Sequence, residues 1–450
     1  MKMKYVPSLE PSFMPMAVEL RNFKAKATVP FAICVERQKG YRYRYDLNIL
    51  EDNFEENVKM LERVIKSILW VVGGYKIYLG GDEKVANEMK QVFSLEGRRA
   101  FDADFMSNVY DQPFEVFVTS LEEVPASVEA SLPAGGNLAG CRIGFDAGGS
   151  DRKVSAVVDG EVIHSEEVVW FPKTNSDPNY HYEGILDSFK RAAAKMPRVD
   201  AIGVSSAGIY IDNEVRVASL FIKVPKELYN EGVRNIYKKA AAEFGNVPLE
   251  VANDGDVTAL AGSLSLKEGR VLGIAMGTSE AAGYVNKEGN LNGWLSELAF
   301  VPVDYNEGAM EDEWSGDYGC GVKYFSQDGV IKLAGFAGIE LDEKLSPAEK
   351  LKVVQGLMKE HDPRAKAIYE NIGIYLGYSI AYYSEFYDIK HLLLLGRVTS
   401  GEGGDIIIAK ADEVLKAEFP EYKNIIIRTP DEWTRRVGQS IAAASLPKLA

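Results

Sequence analysis

Histidine and cysteine are scarce, at four and three in 450 residues. Cys34, Cys141 and Cys320 lie far apart with no paired spacing, which excludes a disulfide framework and a paired-cysteine zinc site. Such usage fits a reducing cytoplasm. His164, His181, His361 and His391 share no spacing and read as structural. Basic residues are outnumbered, with 51 Lys and Arg against 66 Asp and Glu, a net charge of −15. A nucleic-acid binder needs a basic face to displace counterions, so this balance argues against such a partner. No helix-turn-helix pattern is visible. Long apolar runs are missing too. The densest, 68–72 and 392–395, are far too short to cross a bilayer. The opening MKMKYVPSLEPSFMPM has two lysines but no apolar stretch of signal-peptide length. No membrane partner is expected.

What the chain does have is 46% hydrophobic and 26% charged residues, the balance of a globular protein. Its length is too great for one ordinary core, so two or three domains are expected. Strand and helix patterns alternate, which gives an α/β class. In the first region, 1–139, the stretches 30–36, 41–49, 75–79 and 114–119 read as strands. Residues 54–71 read as a helix, with Val58, Leu61, Val64, Ile65, Ile68 and Leu69 on one face, and 83–93 as another. Residues 126–140, rich in Ala, Ser, Pro and Gly, read as a linker. The role of this region is not legible.

The rest is organised around CRIGFDAGGSDRKVSAVV at 141–158, two strand-like runs joined by Asp146-Ala147-Gly148-Gly149-Ser150. Glycines at such a tip let backbone N–H groups approach an anion, and the Asp146 carboxylate beside them could hold Mg²⁺ through water. The competing reading is an ordinary turn whose Asp satisfies its own backbone. Further on, strands at 200–205, 249–252, 271–275 and 392–395 alternate with helices at 183–195, 231–244 and 257–265, a helical tract at 344–386, and a last helix at 431–446. Two more strand ends carry small or acidic residues, Asn253-Asp254-Gly255-Asp256 and Gly277-Thr278-Ser279. Strand ends are the preferred ligand position in open α/β sheets. A phosphate cradle, a metal and a positioned base are the parts that phosphoryl transfer needs. Asp254 competes with a helix-capping role, for which Asp256 is the better residue.

Residues 140–450 resemble the ROK family (repressors, open reading frames and sugar kinases) of the actin-like ATPases. The hairpin at 141–158 is similar to its first phosphate motif. VANDGDVTAL at 251–260 is similar to its catalytic segment, GIAMGTSEAAGYV at 273–285 to its second phosphate motif, and GWLSELAF at 293–300 to a sugar-contacting segment. GCGVKYFSQDGV at 319–330 and HLLLLGRVTSG at 391–401 resemble the stretch after its zinc cysteines and its adenosine-side loop.

The resemblance implies two actin-like (ribonuclease H-like) lobes around an ATP cleft. The lobes would be 140–255 with 431–450, and 256–430, preceded by a separate α/β domain at 1–139. It implies an ATP-dependent sugar kinase with Mg²⁺, Asp254 as base, and Asp146, Gly148, Gly149, Ser150, Gly277, Thr278 and Gly396 around the nucleotide. Asn253 and Glu297 would touch the sugar. A non-catalytic sensor is the alternative. The family's zinc ligands, one His and three Cys, are matched by Phe300, Glu313, Ser315 and Cys320, so no structural zinc is expected. Its Pro-Asn-Leu sugar loop is matched by Ala218-Ser219-Leu220. The aromatic run Tyr375, Tyr378, Tyr382, Tyr383, Phe386 and Tyr387 reads as core or as the interface of a homodimer.

Overall fold

The computed structural model describes residues 2–129, 135–431, 434 and 438–449. Packing divides the chain into two units. One is Met1–Ala130 with Ile274–Ala282 and Trp294–Thr429, and the other is Ser131–Gly273 with Gly283–Gly293 and Pro430–Ala450. Residues 1–130 are thus grouped with later stretches of the chain.

The first unit opens with α1 (Met16–Lys24), β1 (Val29–Glu36), β2 (Arg42–Ile49), α2 (Phe54–Val71), β3 (Lys76–Gly80), α3 (Glu83–Val92), α4 (Ala100–Tyr110) and β4 (Glu115–Thr119). The sheet order is β2-β1-β3-β4, with β1 antiparallel to both neighbours and β4 parallel to β3. Helix α2 starts where the Asn53 side chain accepts the Glu56 amide at 3.2 Å, satisfying one orphan donor. Its apolar stripe, Leu61, Val64, Ile65, Ile68 and Leu69, is fully buried, as its spacing requires. Helix α4 is absent from the sequence expectation because Asp102, Asp104, Ser107 and Asn108 interrupt its apolar pattern.

The second unit holds β5 (Cys141–Ala147), β6 (Asp151–Val158), β7 (Glu161–Val169), α5 (Pro178–Ala193), β8 (Ala201–Ser206), β9 (Ile209–Ile211), β10 (Glu214–Val217), α6 (Lys226–Gly232), α7 (Ile236–Ala242), β11 (Leu249–Asn253) and α8 (Asp254–Leu266). Its five-stranded sheet runs β11-β8-β5-β6-β7. Strands β5, β8 and β11 are parallel, and β5, β6 and β7 form an antiparallel meander. The single helix expected over 231–244 is two short ones, α6 and α7.

The first unit resumes with β12 (Val271–Met276) and β13 (Glu280–Val285), whose far ends belong to the second. It continues with β14 (Glu311–Asp312), β15 (Asp317–Tyr318), α9 (Gln327–Phe336), α10 (Pro347–Lys359), α11 (Pro363–Tyr383), β16 (His391–Leu395), α12 (Glu402–Glu418) and β17 (Ile426–Arg428). Its second sheet runs β13-β12-β16-β17. The tract at 344–386 is cut in two at Pro363, where the Asp362 side chain caps α11. The aromatic run lies in the core, from Tyr375 to Tyr387. Against α11, α12 comes close enough that a Cβ at Gly377 would meet the Ala411 carbonyl at 2.9 Å.

Helix α13 (Gln439–Ala444) returns to the second unit and lies on β5 and β8. A Cβ on Gly203 would be 1.7 Å from the Ala443 carbonyl oxygen, so only glycine permits that approach. Residues 432–433 and 435–437 of the expected last helix lie outside the described residues. No helix among the described residues is long and apolar enough to cross a membrane.

Candidate active site

In the second unit, three parallel strands end together. Asp146 on β5 lies opposite Ser205 on β8, and Ala147 opposite Ser206, which in turn faces Asn253 on β11. On its other side Asp146 faces Lys153 of β6. The carboxyl ends of parallel strands thus present Asp146, the serine pair and Asn253-Asp254 along one edge. Ser205 and Ser206 were not among the expected site residues, because their place comes from strand register. Ser206 accepts the Tyr210 hydroxyl at 2.7 Å and the Tyr237 hydroxyl at 3.2 Å.

The turn after β5 is pinned from one side. The Trp170 indole donates to the Gly148 carbonyl at 2.8 Å, and the Trp170 amide to the Ser150 carbonyl at 3.1 Å. Gly149 and Ser150 remain exposed at the tip.

Asn253 caps α8. Its side chain accepts the Gly255 amide at 2.7 Å and donates to the Gly208 carbonyl at 2.7 Å. The capping role weighed for Asp254 and Asp256 is therefore filled by Asn253, whose amide is already engaged at both ends. Asp256 accepts the Tyr284 amide at 3.2 Å.

These carboxyls crowd one another. Burial and then the Asp254 charge push Asp146 up to about 6, against Ser205 and Lys153. Burial raises Asp254 as well, opposed by the backbone amides of Gly255 and its own residue. Asp256 is pushed up to about 7 by burial, with Asp254 adding and the Tyr284 amide opposing. A carboxyl raised toward neutrality next to a negative neighbour is suited to taking and giving a proton. A cation at Asp146 would relieve the same repulsion, but among the described residues no group of three or more His, Cys, Asp or Glu is gathered to hold one, so Asp146 could meet it only through water.

In the first unit, the Gly277-Thr278-Ser279 turn closes with the Gly277 amide donating to the Ser279 carbonyl at 3.0 Å. Gly396 follows β16 at φ +96°, and a Cβ there would meet the Met276 carbonyl at 2.2 Å. The Val398 amide donates to that carbonyl at 3.0 Å. The turn at 277–279 and the loop that follows β16 therefore meet. Glu297 is half-buried, and its amide donates to the Trp70 carbonyl at 2.9 Å.

A residue outside the expected set, Glu280, opens β13 at 3% exposure, with neither carboxyl oxygen in a hydrogen bond. Burial raises it well above the usual carboxylate range, the nearby Tyr383 hydroxyl, which does not meet hydrogen-bond geometry, opposes the rise, and Glu297 adds to it.

The four positions matched to the family's zinc ligands are engaged in other contacts. Phe300 stacks at 4.4 Å from Trp70 and 4.9 Å from Trp314. Glu313 pairs with Lys323, the Ser315 hydroxyl donates to Asp312 at 2.6 Å, and Cys320 is buried. Of the sugar-loop residues, Ala218 and Leu220 are in the core and Ser219 is exposed.

No protein-family model matches the chain, and no curated protein is significantly similar to it. Solved structures do match. A ROK hexokinase from Thermus thermophilus aligns with a TM-score of 0.54 at 18% identity, over 67% of this chain and 97% of its own. The fold is that of the ROK proteins. A ROK family transcriptional regulator, a homolog of the E. coli MLC protein, aligns with a TM-score of 0.51 at 19% identity, over 68% of this chain and 78% of its own. A ROK family protein from Streptococcus pneumoniae, solved in complex with sucrose, aligns with a TM-score of 0.50 at 12% identity, over 67% and 96%. The ROK-like part thus leaves about a third of this chain without a counterpart.

Proposed function

We propose that this chain is an ATP-dependent sugar kinase of the ROK family, transferring the γ-phosphate to a sugar hydroxyl. The observation that carries the reading is the shared strand-end edge of Asp146, Ser205 and Asp254, with its raised carboxyls, in a fold shared with a ROK hexokinase. Asp254 removes the proton from the attacking hydroxyl. The turns at Gly148-Gly149-Ser150 and Gly277-Thr278 approach the phosphates by backbone, and Gly396 borders the adenosine. Asp146 would hold Mg²⁺ through water, and the bound ion would supply charge neutralisation on the phosphates. Asn253 and Glu297 contact the sugar, Asn253 with whatever bonding capacity its capping role leaves. On this reading 140–255 with 431–450 and 256–430 are the two lobes, residues 1–139 are an addition to them, and the protein works in the cytoplasm.

A second reading, a ROK-like sensor without turnover, is favoured by one observation: two of three sugar-loop residues are committed to the core. The likeness to a regulator is compatible with it.

The deciding experiment is ATP consumption with direct detection of phosphorylated product, across hexoses, N-acetylhexosamines and sugar acids. Product from one class supports the kinase. A protein that binds ATP and sugar but makes no product is the sensor. A protein that binds neither sinks both readings.

A further inference from the structure

The region before the ROK-like part has a definable job at the sugar end. Helix α2 ends at Val71, and its last carbonyls have no partner inside the helix. Those of Trp70, Val71 and Val72 accept the amides of Glu297, Ser296 and Leu295, at 2.9, 2.9 and 3.3 Å. Gly73, at φ +87°, makes room, since a Cβ there would stand 2.1 Å from the Tyr110 hydroxyl and 2.7 Å from the Leu295 Cγ. The segment carrying Glu297 is thus bonded to the end of α2.

The same helix grips the other end of the loop. Arg63 donates to both Asp317 oxygens at 2.9 Å and to the Tyr318 carbonyl at 2.7 Å. Lys66 stands 2.6 Å from Asp317, and Arg99, at the N-cap of α4, stands 2.8 Å from it. Between the two ends, Trp70 with Phe105 of α4 forms an aromatic cluster with Phe300 and Trp314. Phe300, at a position where the resemblance implies a zinc ligand, is part of this cluster, and Cys320, at another, packs against Phe300.

We propose that α2 and α4 replace a zinc ion as the scaffold of the loop at 295–320 and position Glu297 for the sugar. Arg63, Lys66, Trp70 and Arg99 are then positioning residues. The role of Glu297 rests on the kinase reading, whereas the anchor does not.

Hydrogen exchange by mass spectrometry on the full chain tests the anchor without ATP or sugar. Gly73→Ala should speed exchange at 295–297 about tenfold or more, as local opening becomes easier. Lys66→Met, a second variant that leaves the backbone bonds in place, should speed exchange at 315–320. Both should weaken sugar affinity, read as KM or by calorimetry, with ATP affinity changed by less than about twofold. Unchanged exchange in both variants overturns the proposal. Faster exchange with unaltered sugar affinity also overturns it, because the anchor would then only stabilise. A wild type that binds no sugar but shows the expected exchange pattern sinks the kinase reading and leaves the anchor standing.

Discussion

A single nitrogen of Arg63 reaches both carboxylate oxygens of Asp317 at 2.9 Å, across 254 residues of sequence. Both side chains are almost wholly buried. Burial alone would raise the Asp317 carboxyl, but Arg63, Lys66 and Arg99 outweigh it and hold the group well below the usual range. A carboxyl depressed in this way adds stability above its unfolded value, near 4, and that stability is lost as pH falls through and below it. Asp317→Asn leaves three buried cations under-compensated, which should cost about 3–5 kcal/mol at neutral pH. Urea titration at pH 7 and pH 3 should show a large gap between wild type and variant at pH 7 and a smaller one at pH 3. Equal stability at pH 7 would mean that the cations find other partners.

Asp254 and Asp146 should separate chemistry from binding. Asp254→Asn keeps size but removes the base, so turnover should fall by about 10²–10⁴-fold. Nucleotide affinity should hardly change. Asp146→Asn should instead weaken Mg-dependent nucleotide binding. Because Asp254 is raised, wild-type turnover should fall on the acid side at a pH above the ordinary carboxylate range. A product assay and calorimetry on both variants check this. Full activity in Asp254→Asn would remove it as the base.

Two glycines predict opposite signs. Gly356 lies within α10, and a Cβ there meets nothing within 4 Å. Gly356→Ala should therefore stabilise by about 0.5–1 kcal/mol, through helix propensity. Gly203→Ala drives a methyl group into the Ala443 carbonyl, forcing α13 off the sheet, and should cost about 1–3 kcal/mol. Melting curves of the two variants test both, and a neutral Gly203→Ala would mean that α13 shifts freely.

Much of this was legible where periodicity or turn chemistry is local. The α2 stripe has a clean helical period, and its bounds match the pattern. Gly148-Gly149-Ser150 announces its turn through small residues, whereas Asp146 and Ala147, read as part of that turn, are the last residues of β5. Long-range contacts were not legible. No local signal says that Lys66, on a helix of ordinary amphipathic pattern, is the fully buried partner of Asp317. Ser205 reads as the end of a buried strand, and only its register with Asp146 places it in the site. Glu280 follows Ser279 in a turn, where a carboxylate reads as solvent-facing, and only the packing of β13 shows it turned inward.

That inward turn makes Glu280 the most informative position for a last test. At 3% exposure, with no hydrogen bond to either oxygen, a charged carboxylate would be very costly. Its pKa is raised well above the usual range by burial, with Tyr383 opposing and Glu297 adding. A carboxyl raised in the folded state contributes stability below its unfolded value, near 4.3, and loses that contribution as pH rises through the folded value. Glu280→Gln keeps the shape and cannot ionise. The variant should match wild type near pH 4 and become progressively more stable than it toward pH 9. Glu280→Ala leaves a void instead and should be destabilised at both values. Thermal melts of the three proteins across this range decide the matter. A wild type that gains stability over Glu280→Gln as pH rises would show that the carboxylate is charged and paired in the folded protein.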